Sequence, residues 1–179
     1  LHQEELEAID EILGTCCRKL QILYLQNNII SKMENLHHMK DLRYLNLALN
    51  NITKIEGLQA CEFLNKLDLT VNFIDFDHLK ESLLHLSSRT HLRELFMMGN
   101  PCEQKWKEND KFFNYVVCYI PSLQSLDGKE ITKSIRIQTF SSWLKVQVEE
   151  NVGACQVCKV LHLLNSPNYS RFTGSIQTS

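Results

Sequence analysis

The amino-acid sequence predicts an α/β fold of the solenoid type. In such a fold short parallel strands lie side by side on a concave face, and helical or irregular segments form the convex side. Two observations predict it. Leucines recur in the same short pattern along residues 1–100, and an asparagine follows each group of leucines at the same distance. We therefore expect an elongated stack of similar coils.

The spacing of the leucines defines the repeat unit. Leu20, Leu42 and Leu64 begin three successive units that are 22 residues apart, and each unit reads LxxLxLxxN. A fourth unit begins at Leu92, and a fifth begins at Leu123 and stops soon afterwards. This is the pattern of the leucine-rich repeat, in which one coil cannot bury its leucines alone and neighbouring coils must stack.

The repeat pattern divides the chain into three parts. Residues 1–100 form the repeats, and the first of these is truncated, because only its apolar tail is recognisable. That tail comprises Leu1, Leu6, Ile9 and Ile12. Residues 101–137 form a C-terminal cap that covers the last apolar coil, with a helix predicted in the run KFFNYVVCYI. Residues 138–179 form a tail that we expect to begin as a helix and to end disordered.

The third unit is longer than the others. Its insertion contains Leu79, Leu83 and Leu86, which lie at the spacing of one helical face. We therefore expect a helix on the convex side of this unit.

Five polar residues have positions that predict a structural role. The amide of each repeat asparagine can satisfy backbone groups of adjacent coils that would otherwise be buried without a partner. An aspartate followed by glycine indicates a turn in the cap, and its carboxylate can accept hydrogen bonds from nearby backbone amides. These residues are Asn28, Asn50, Asn72, Asn100 and Asp127.

The variable residues that flank the strand leucines are the candidate binding residues. They form the concave face, where Tyr24 and Tyr44 are predicted to be adjacent, next to a charged pair of Lys66 and Asp68. Exposed aromatic residues beside polar groups are typical of the core of a protein interface. The alternative is that they stabilise the sheet by cross-strand packing. The full set is Ile22, Tyr24, Gln26, Tyr44, Asn46, Ala48, Lys66, Asp68, Thr70, Glu94, Phe96 and Met98.

Composition excludes several classes of function. The 179 residues include 19 basic and 21 acidic side chains, a net charge of −2, so we expect no direct binding of nucleic acid. No apolar run reaches the roughly 18 residues of a membrane span, so we expect no membrane insertion. Seven cysteines, an odd number, and the lack of a secretory signal predict a cytoplasmic protein with reduced thiols.

The sequence contains no recognised catalytic or cofactor motif. GxGxxG, GxxxxGK[ST], HExxH and GxSxG are all absent. We therefore expect neither an enzyme nor a cofactor nor a small-molecule substrate. Cys155, Cys158 and His162 are weak candidates for a zinc site, but tetrahedral zinc needs four ligands and a second pair is missing, so no metal is expected.

Beyond the repeat pattern, the sequence resembles one family. The resemblance rests on the runs ILYLQNNII, YLNLALNNI, KLDLTVNFI, ELFMMGNPC and LDGKEI, in that order. Together these runs resemble the leucine-rich-repeat axonemal dynein assembly factors, the tilB homologues. The resemblance covers about residues 1–137 and includes Ala48, Thr70 and Val71, variable positions that the repeat itself does not dictate.

The resemblance implies a non-enzymatic protein–protein interaction scaffold. Such a protein is an adaptor in the cytoplasmic pre-assembly of dynein arms for motile cilia or flagella. Its partners would be dynein assembly factors and chaperones, with dynein chains as further candidates, and its location would be the cytoplasm, with the cilium or flagellum as a second location. Family members carry a coiled-coil region and a CS-type domain after the repeats. Neither is recognised here, so we expect a fragment or a variant with a different end.

Two other interpretations stay open. One is a leucine-rich-repeat subunit that resembles an axonemal dynein light chain or a regulatory subunit of a phosphatase. The other is a ribonucleoprotein scaffold that resembles the leucine-rich spliceosomal A-prime protein, whose concave face contacts an RNA-binding partner.

Overall fold

The structure, a computed structural model, describes residues 1–104 and 111–149. Within these residues one sheet is present, and its strands lie in chain order, as stacked coils require. The first five strands are parallel, and the last pairs with the fifth in antiparallel orientation. The strands are β1 Ile22–Tyr24, β2 Tyr44–Asn46, β3 Lys66–Asp68, β4 Glu94–Phe96, β5 Ser125–Leu126 and β6 Lys129–Glu130. The predicted α/β solenoid is confirmed.

Helices lie between strands β3 and β5 and at both ends of the stack. The helix predicted in the third unit is confirmed as α2, whose apolar face is buried through Leu79, Leu83 and Leu86. Helix α4 carries the run predicted for the cap, with Phe112 and Val116 buried. The described helices are α1 Glu11–Cys16, α2 Phe76–Ser87, α3 Pro101–Gln104, α4 Lys111–Tyr119 and α5 Lys133–Glu149.

The core is a ladder of leucines from successive coils. The middle residue of each of the first four strands points inward, and these residues are paired in register across the sheet. Each is 4% exposed or less, and replacing one with alanine typically costs about 2–5 kcal/mol. They are Leu23, Leu45, Leu67 and Leu95.

The repeat asparagines join each coil to the coil before it. The Oδ1 atom of Asn50 accepts a hydrogen bond from the backbone N–H of Ile30 at 3.0 Å. Its Nδ2 donates to the carbonyl oxygens of Leu25 and Leu47, at 2.9 and 3.0 Å. Asn72 and Asn100 make the same three kinds of bond one and two coils further along. Buried backbone groups of two coils are thus satisfied by one side chain.

The first asparagine contacts the N-terminal segment instead of a complete coil. Asn28 accepts hydrogen bonds from the N–H groups of Glu4 and Leu6 and donates to the carbonyl of Leu1. The apolar residues of this truncated first unit differ in their exposure. Ile9 is buried, but Leu1 and Ile12 are 51% and 64% exposed, because residue 12 lies on the outer side of the short helix α1.

The polar side of helix α2 satisfies the backbone of the preceding coil on the convex side. The Ser82 hydroxyl accepts from the N–H of Ile55 at 3.0 Å, and His85 Nε2 accepts from the N–H of Leu58 at 3.1 Å. Arg89 donates to the carbonyl oxygens of Leu58 and Gln59. Burial, together with the positive charge of Arg89, lowers the pKa of His85.

The coils approach so closely at one point that only glycine fits. Gly57 has a φ of +75°, and a Cβ placed on it would clash with the carbonyl oxygen of Met33 in the preceding coil. A side chain at this position would therefore force the two coils apart.

Helix α5 packs on the cap helix α4. Its Arg136 donates to the carbonyl oxygens of Val117 and Leu123, and its Thr139 hydroxyl bonds to Asn114 Oδ1 at 3.0 Å. The helix therefore continues without a break across residue 137, where we placed the end of the cap. The predicted disorder at the end of the tail lies outside the described residues. None of the described helices has the length and apolar composition needed to cross a membrane.

The asparagine bonds predict a large difference between two adjacent residues. Replacing Asn50 with alanine leaves the buried N–H of Ile30 without its partner and removes one of the two amide hydrogen bonds to each of the Leu25 and Leu47 carbonyl oxygens. We expect Asn50→Ala to lower the free energy of unfolding by about 3 kcal/mol, measured by urea denaturation. The matched control is Asn51→Ala, because Asn51 is exposed, and its expected effect is within about 0.5 kcal/mol. Equal effects of the two substitutions would contradict this role.

The bond between His85 and Leu58 predicts a dependence of stability on pH. His85 accepts this bond in its neutral form, and its folded pKa lies below the unfolded value of about 6.5. Its contribution is therefore complete above the unfolded pKa and is lost as the pH falls through the folded pKa. Arg89, Lys54 and Glu56 are the charged groups that act on it.

We expect the wild-type chain to lose more stability than His85→Gln when the pH is lowered from about 7.5 to 5. Glutamine can accept the same hydrogen bond and does not titrate. Urea denaturation of both chains across this pH range measures the difference. Identical pH profiles would show that His85 does not contribute.

Candidate protein-binding surface

The side chains on either side of each buried strand leucine point to the concave face, because neighbouring residues of a strand alternate in direction. Parallel register aligns them in two rows across the sheet. We call these eight residues the concave surface. The first row is Ile22, Tyr44, Lys66 and Glu94, and the second is Tyr24, Asn46, Asp68 and Phe96.

Two tyrosines contact each other on the concave surface. In the register Tyr24 lies opposite Asn46, and Tyr44 lies opposite Ile22, so the two rings meet diagonally. Their centroids are 5.5 Å apart in an edge-to-face arrangement. Asn46 Nδ2 donates to the Tyr44 hydroxyl at 3.2 Å, and burial, with the charge of Asp68, raises the pKa of that hydroxyl. Tyr24 remains 45% exposed, so much of this aromatic pair is accessible.

In the structure Lys66 is paired with Glu94 and not with Asp68, the predicted partner. Lys66 Nζ lies 3.0 Å from Glu94 Oε2, on the next strand, and this hydrogen bond raises the pKa of Lys66. Glu94 lies directly opposite Lys66 in the register, whereas Asp68 is on the same strand as Lys66. The ammonium group also lies over two rings, 5.2 Å from the centroid of Tyr44 and 4.9 Å from that of Phe96. Lys66 is thus at the centre of the concave surface.

Asp68, the predicted partner of Lys66, forms hydrogen bonds with a residue that follows it in the chain. Asp68 Oδ1 accepts hydrogen bonds from the backbone N–H of Thr70 at 3.0 Å and from its hydroxyl at 2.7 Å. Asp68 therefore holds the chain where it leaves strand β3.

A third row of candidates lies just beyond the C-terminal ends of the strands. The residue after each member of this row has a positive φ, so the chain turns away from the sheet here. These following residues are Asn27, Leu49, Val71 and Gly99. Backbone hydrogen bonds between coils continue through this turn, as from Asn27 N–H to the Ala48 carbonyl. The row comprises Gln26, Ala48, Thr70 and Met98.

Asp127 ends the concave surface on the side of the cap. Its Oδ1 accepts hydrogen bonds from the N–H groups of Met97 and Met98, at 2.6 and 3.0 Å. Burial raises the pKa of this carboxyl group. The backbone that leaves strand β4 therefore has a hydrogen-bond partner although no complete coil follows.

A groove adjoins the first row at the N-terminal ends of the strands, with a volume of about 510 Å³. Sequence reasoning missed it, because only the residues that flank the strand leucines were considered. The residues just before the strands were the available signal, since Gln21, Arg43 and Asn65 occupy equivalent positions in successive coils. We call it the entry groove. It is lined by Gln21, Ile22, Arg43, Tyr44, Phe63, Asn65, Lys66 and His91.

The described residues offer little reactive chemistry. In residues 1–104 and 111–149, no group of three His, Cys, Asp or Glu side chains is placed to bind a metal ion. The weak zinc candidates Cys155, Cys158 and His162 lie outside the described residues. Burial raises the pKa of Cys61 to about 11 and that of Cys102 to about 12, so both thiols stay protonated near neutral pH.

Comparison with known proteins identifies relatives of the repeat region. No family model matches the sequence. The mouse protein dynein axonemal assembly factor 11 is 53% identical over 147 residues, which are 82% of this chain and 29% of the mouse protein. The Trypanosoma brucei brucei protein of that name is 45% identical over 159 residues, and Drosophila protein tilB is also 45% identical over 159. Over the aligned residues the chain is a homologue of these proteins.

The resemblance seen in the sequence is thereby confirmed. The alignments cover 89% of this chain and 39% of the trypanosome protein, and 85% of this chain and 38% of tilB. The chain thus spans between 29% and 39% of the length of these three relatives. Among solved structures, the Drosophila SNF/U2A′ complex contains a similar chain, the leucine-rich-repeat protein U2A′. It has a TM-score of 0.67 and 26% identity, and the match covers 79% of this chain and 78% of that one.

The concave surface predicts a contrast between neighbouring residues of strand β2. Tyr44 is half-buried, and its ring contacts are worth about 1 kcal/mol, so we expect Tyr44→Ala to lower the free energy of unfolding by about that amount. Leu45 is fully buried, and Leu45→Ala is expected to cost about 3 kcal/mol. Chemical denaturation of both variants measures the contrast. A cost for Tyr44 as large as that for Leu45 would assign Tyr44 to structure and not to binding.

Proposed function

We propose that this chain supplies a protein-binding surface for the assembly of axonemal dynein. In this proposal the chain is a non-enzymatic adaptor in the cytoplasm. It contacts other assembly factors, chaperones or dynein chains before dynein arms enter a cilium or flagellum. The observation that carries the proposal is the exposed concave surface, on a chain 45–53% identical to proteins named for axonemal dynein assembly or tilB.

The composition of the concave surface supports binding to a protein. Tyrosine and phenylalanine provide large contact areas, and such residues are enriched at the energetic centre of interfaces. Here the Tyr24–Tyr44 pair and Phe96 surround one ion pair, that of Lys66 with Glu94. This combines apolar area with charges that a partner must match.

The similarity to U2A′ favours a second candidate. That chain was solved in a complex with SNF, which supports the general use of such a solenoid as a scaffold that contacts another protein. A ribonucleoprotein scaffold ranks second for this chain, because its identity to U2A′ is 26%, whereas its identity to the assembly factors is 45–53%. A ribonucleoprotein role would require a nuclear location.

Affinity capture from ciliated cells tests the first candidate. The tagged chain serves as bait, and axonemal dynein heavy and intermediate chains are measured by immunoblot. We expect dynein chains in the captured material and a reduction of about tenfold for Tyr24→Ala and Tyr44→Ala, because each variant removes a central aromatic contact. Leu84→Ala is the control, because Leu84 is an exposed apolar residue on helix α2, away from the sheet.

Two outcomes would contradict the proposal. Dynein chains absent from the captured material would remove the assembly role, and spliceosomal proteins in their place would support the second candidate. Equal losses with Leu84→Ala and with the tyrosine variants would show that the concave surface is not the contact.

A further inference from the structure

The entry groove combines an apolar floor with an aromatic wall. Ile22 is 50% exposed and lies in register with Tyr44, so the two side chains form a continuous floor. Phe63 is 39% exposed, and its ring centroid lies 5.2 Å from that of His91. The imidazole of His91 is fixed by a 3.0 Å contact between its Nδ1 and the carbonyl oxygen of Glu62. The groove is therefore preformed, with apolar area left uncovered.

One arginine in this groove has no partner inside the described part of the chain. The other arginines there are all bonded to backbone carbonyl oxygens: Arg18 to Thr15 within one turn, and Arg89, Arg93 and Arg136 to neighbouring coils or to the cap. Arg43 has neither a side-chain hydrogen bond nor an ion pair there, and it is exposed. Its five N–H donors remain available to a ligand.

The charges around the groove leave Arg43 uncompensated. Lys66, the other cation of the lining, is paired with Glu94 at 3.0 Å. Glu62, beside Phe63, is paired with Lys40 at 3.1 Å. Among the described residues that line the groove there is no aspartate or glutamate. The groove thus presents one free guanidinium group above an apolar floor.

We propose that the entry groove binds an acidic side chain of the partner protein, flanked by an apolar residue. The carboxylate of an aspartate or glutamate pairs with the guanidinium group of Arg43, whose planar fork matches it in two parallel hydrogen bonds. The adjacent apolar side chain packs on Ile22, Tyr44 and Phe63. This inference deepens the proposed function and rests on it, because it describes the chemistry of a protein bound at the same concave side.

The same charges disfavour a phosphate backbone as the occupant. Binding to nucleic acid depends on several cations that neutralise successive phosphates. Here Lys66 is already neutralised, and Arg43 is the one unpaired cation in the described lining. A single guanidinium group beside an apolar area fits a carboxylate side chain of a protein better than it fits a phosphate backbone.

Titration of the ¹⁵N-labelled full chain with two synthetic peptides tests the proposal. The peptides share the same leucine and phenylalanine positions, and one carries glutamate where the other carries lysine. We expect amide shifts at Arg43, Tyr44 and Phe63, and a Kd about tenfold lower for the glutamate peptide. Arg43→Gln is expected to abolish this preference, and Arg18→Gln, an exposed arginine at another site, is expected to retain it.

Several results would overturn the proposal. They are equal Kd values for the two peptides, no binding of either, or an unchanged preference in Arg43→Gln. Inorganic phosphate that shifts Arg43 and binds more tightly than the glutamate peptide would assign the groove to phosphate. The titration contains no dynein, so it can fail while dynein capture succeeds, or succeed while capture fails, and the two proposals remain distinguishable.

Discussion

The fold depends on satisfying backbone groups that the stacking of coils buries. Each complete strand is only three residues long, so hydrogen bonds between strands satisfy only part of each coil. The repeat asparagine supplies hydrogen-bond partners to backbone groups beyond the strands. Its side-chain amide bonds to its own coil and to the preceding one. An unpaired buried N–H or carbonyl costs about 1–3 kcal/mol, so a coil with another residue here would stack poorly. The 22-residue repeat places this amide at the same position in every regular coil.

Because the inward residues and the asparagines account for stability, the outward residues are free to serve binding. Tyr44 and Lys66 occupy equivalent positions in adjacent coils and share no chemistry, whereas Leu45 and Leu67 beside them are identical. Leu49 and Val71 have neither of these roles, stability through inward packing or binding through an outward side chain. Both have positive φ, at +57° and +52°, where asparagine and glycine stand in the equivalent turns of the neighbouring coils. A branched side chain at such a φ is strained, and the fold gives no reason for it.

Much of the fold could be predicted because the repeat is periodic. The spacing that begins at Leu20 located the strands, and the spacing of Leu79 and Leu83 located helix α2. Positions that depend on side chains from different coils could not be read in this way. The pairing of Lys66 with Glu94 crosses a 28-residue step, and the free guanidinium of Arg43 is recognisable only after every other described arginine is found bonded to a carbonyl.

Hydrogen bonds on the convex side help to fix the side chains of the concave surface in position. Ser82 and His85 of helix α2, and Arg89 just after it, bond to the backbone of the preceding coil, while Asn72 joins the same two coils near the strands. The coils that carry Tyr44 and Lys66 are thus fixed on both sides, and these two side chains are held in position before a partner arrives. A preformed surface loses little conformational entropy on binding, so affinity can depend on a few side chains. Strand β2 carries Tyr44 and follows Arg43 directly, so this coil contributes both the aromatic and the charged contact.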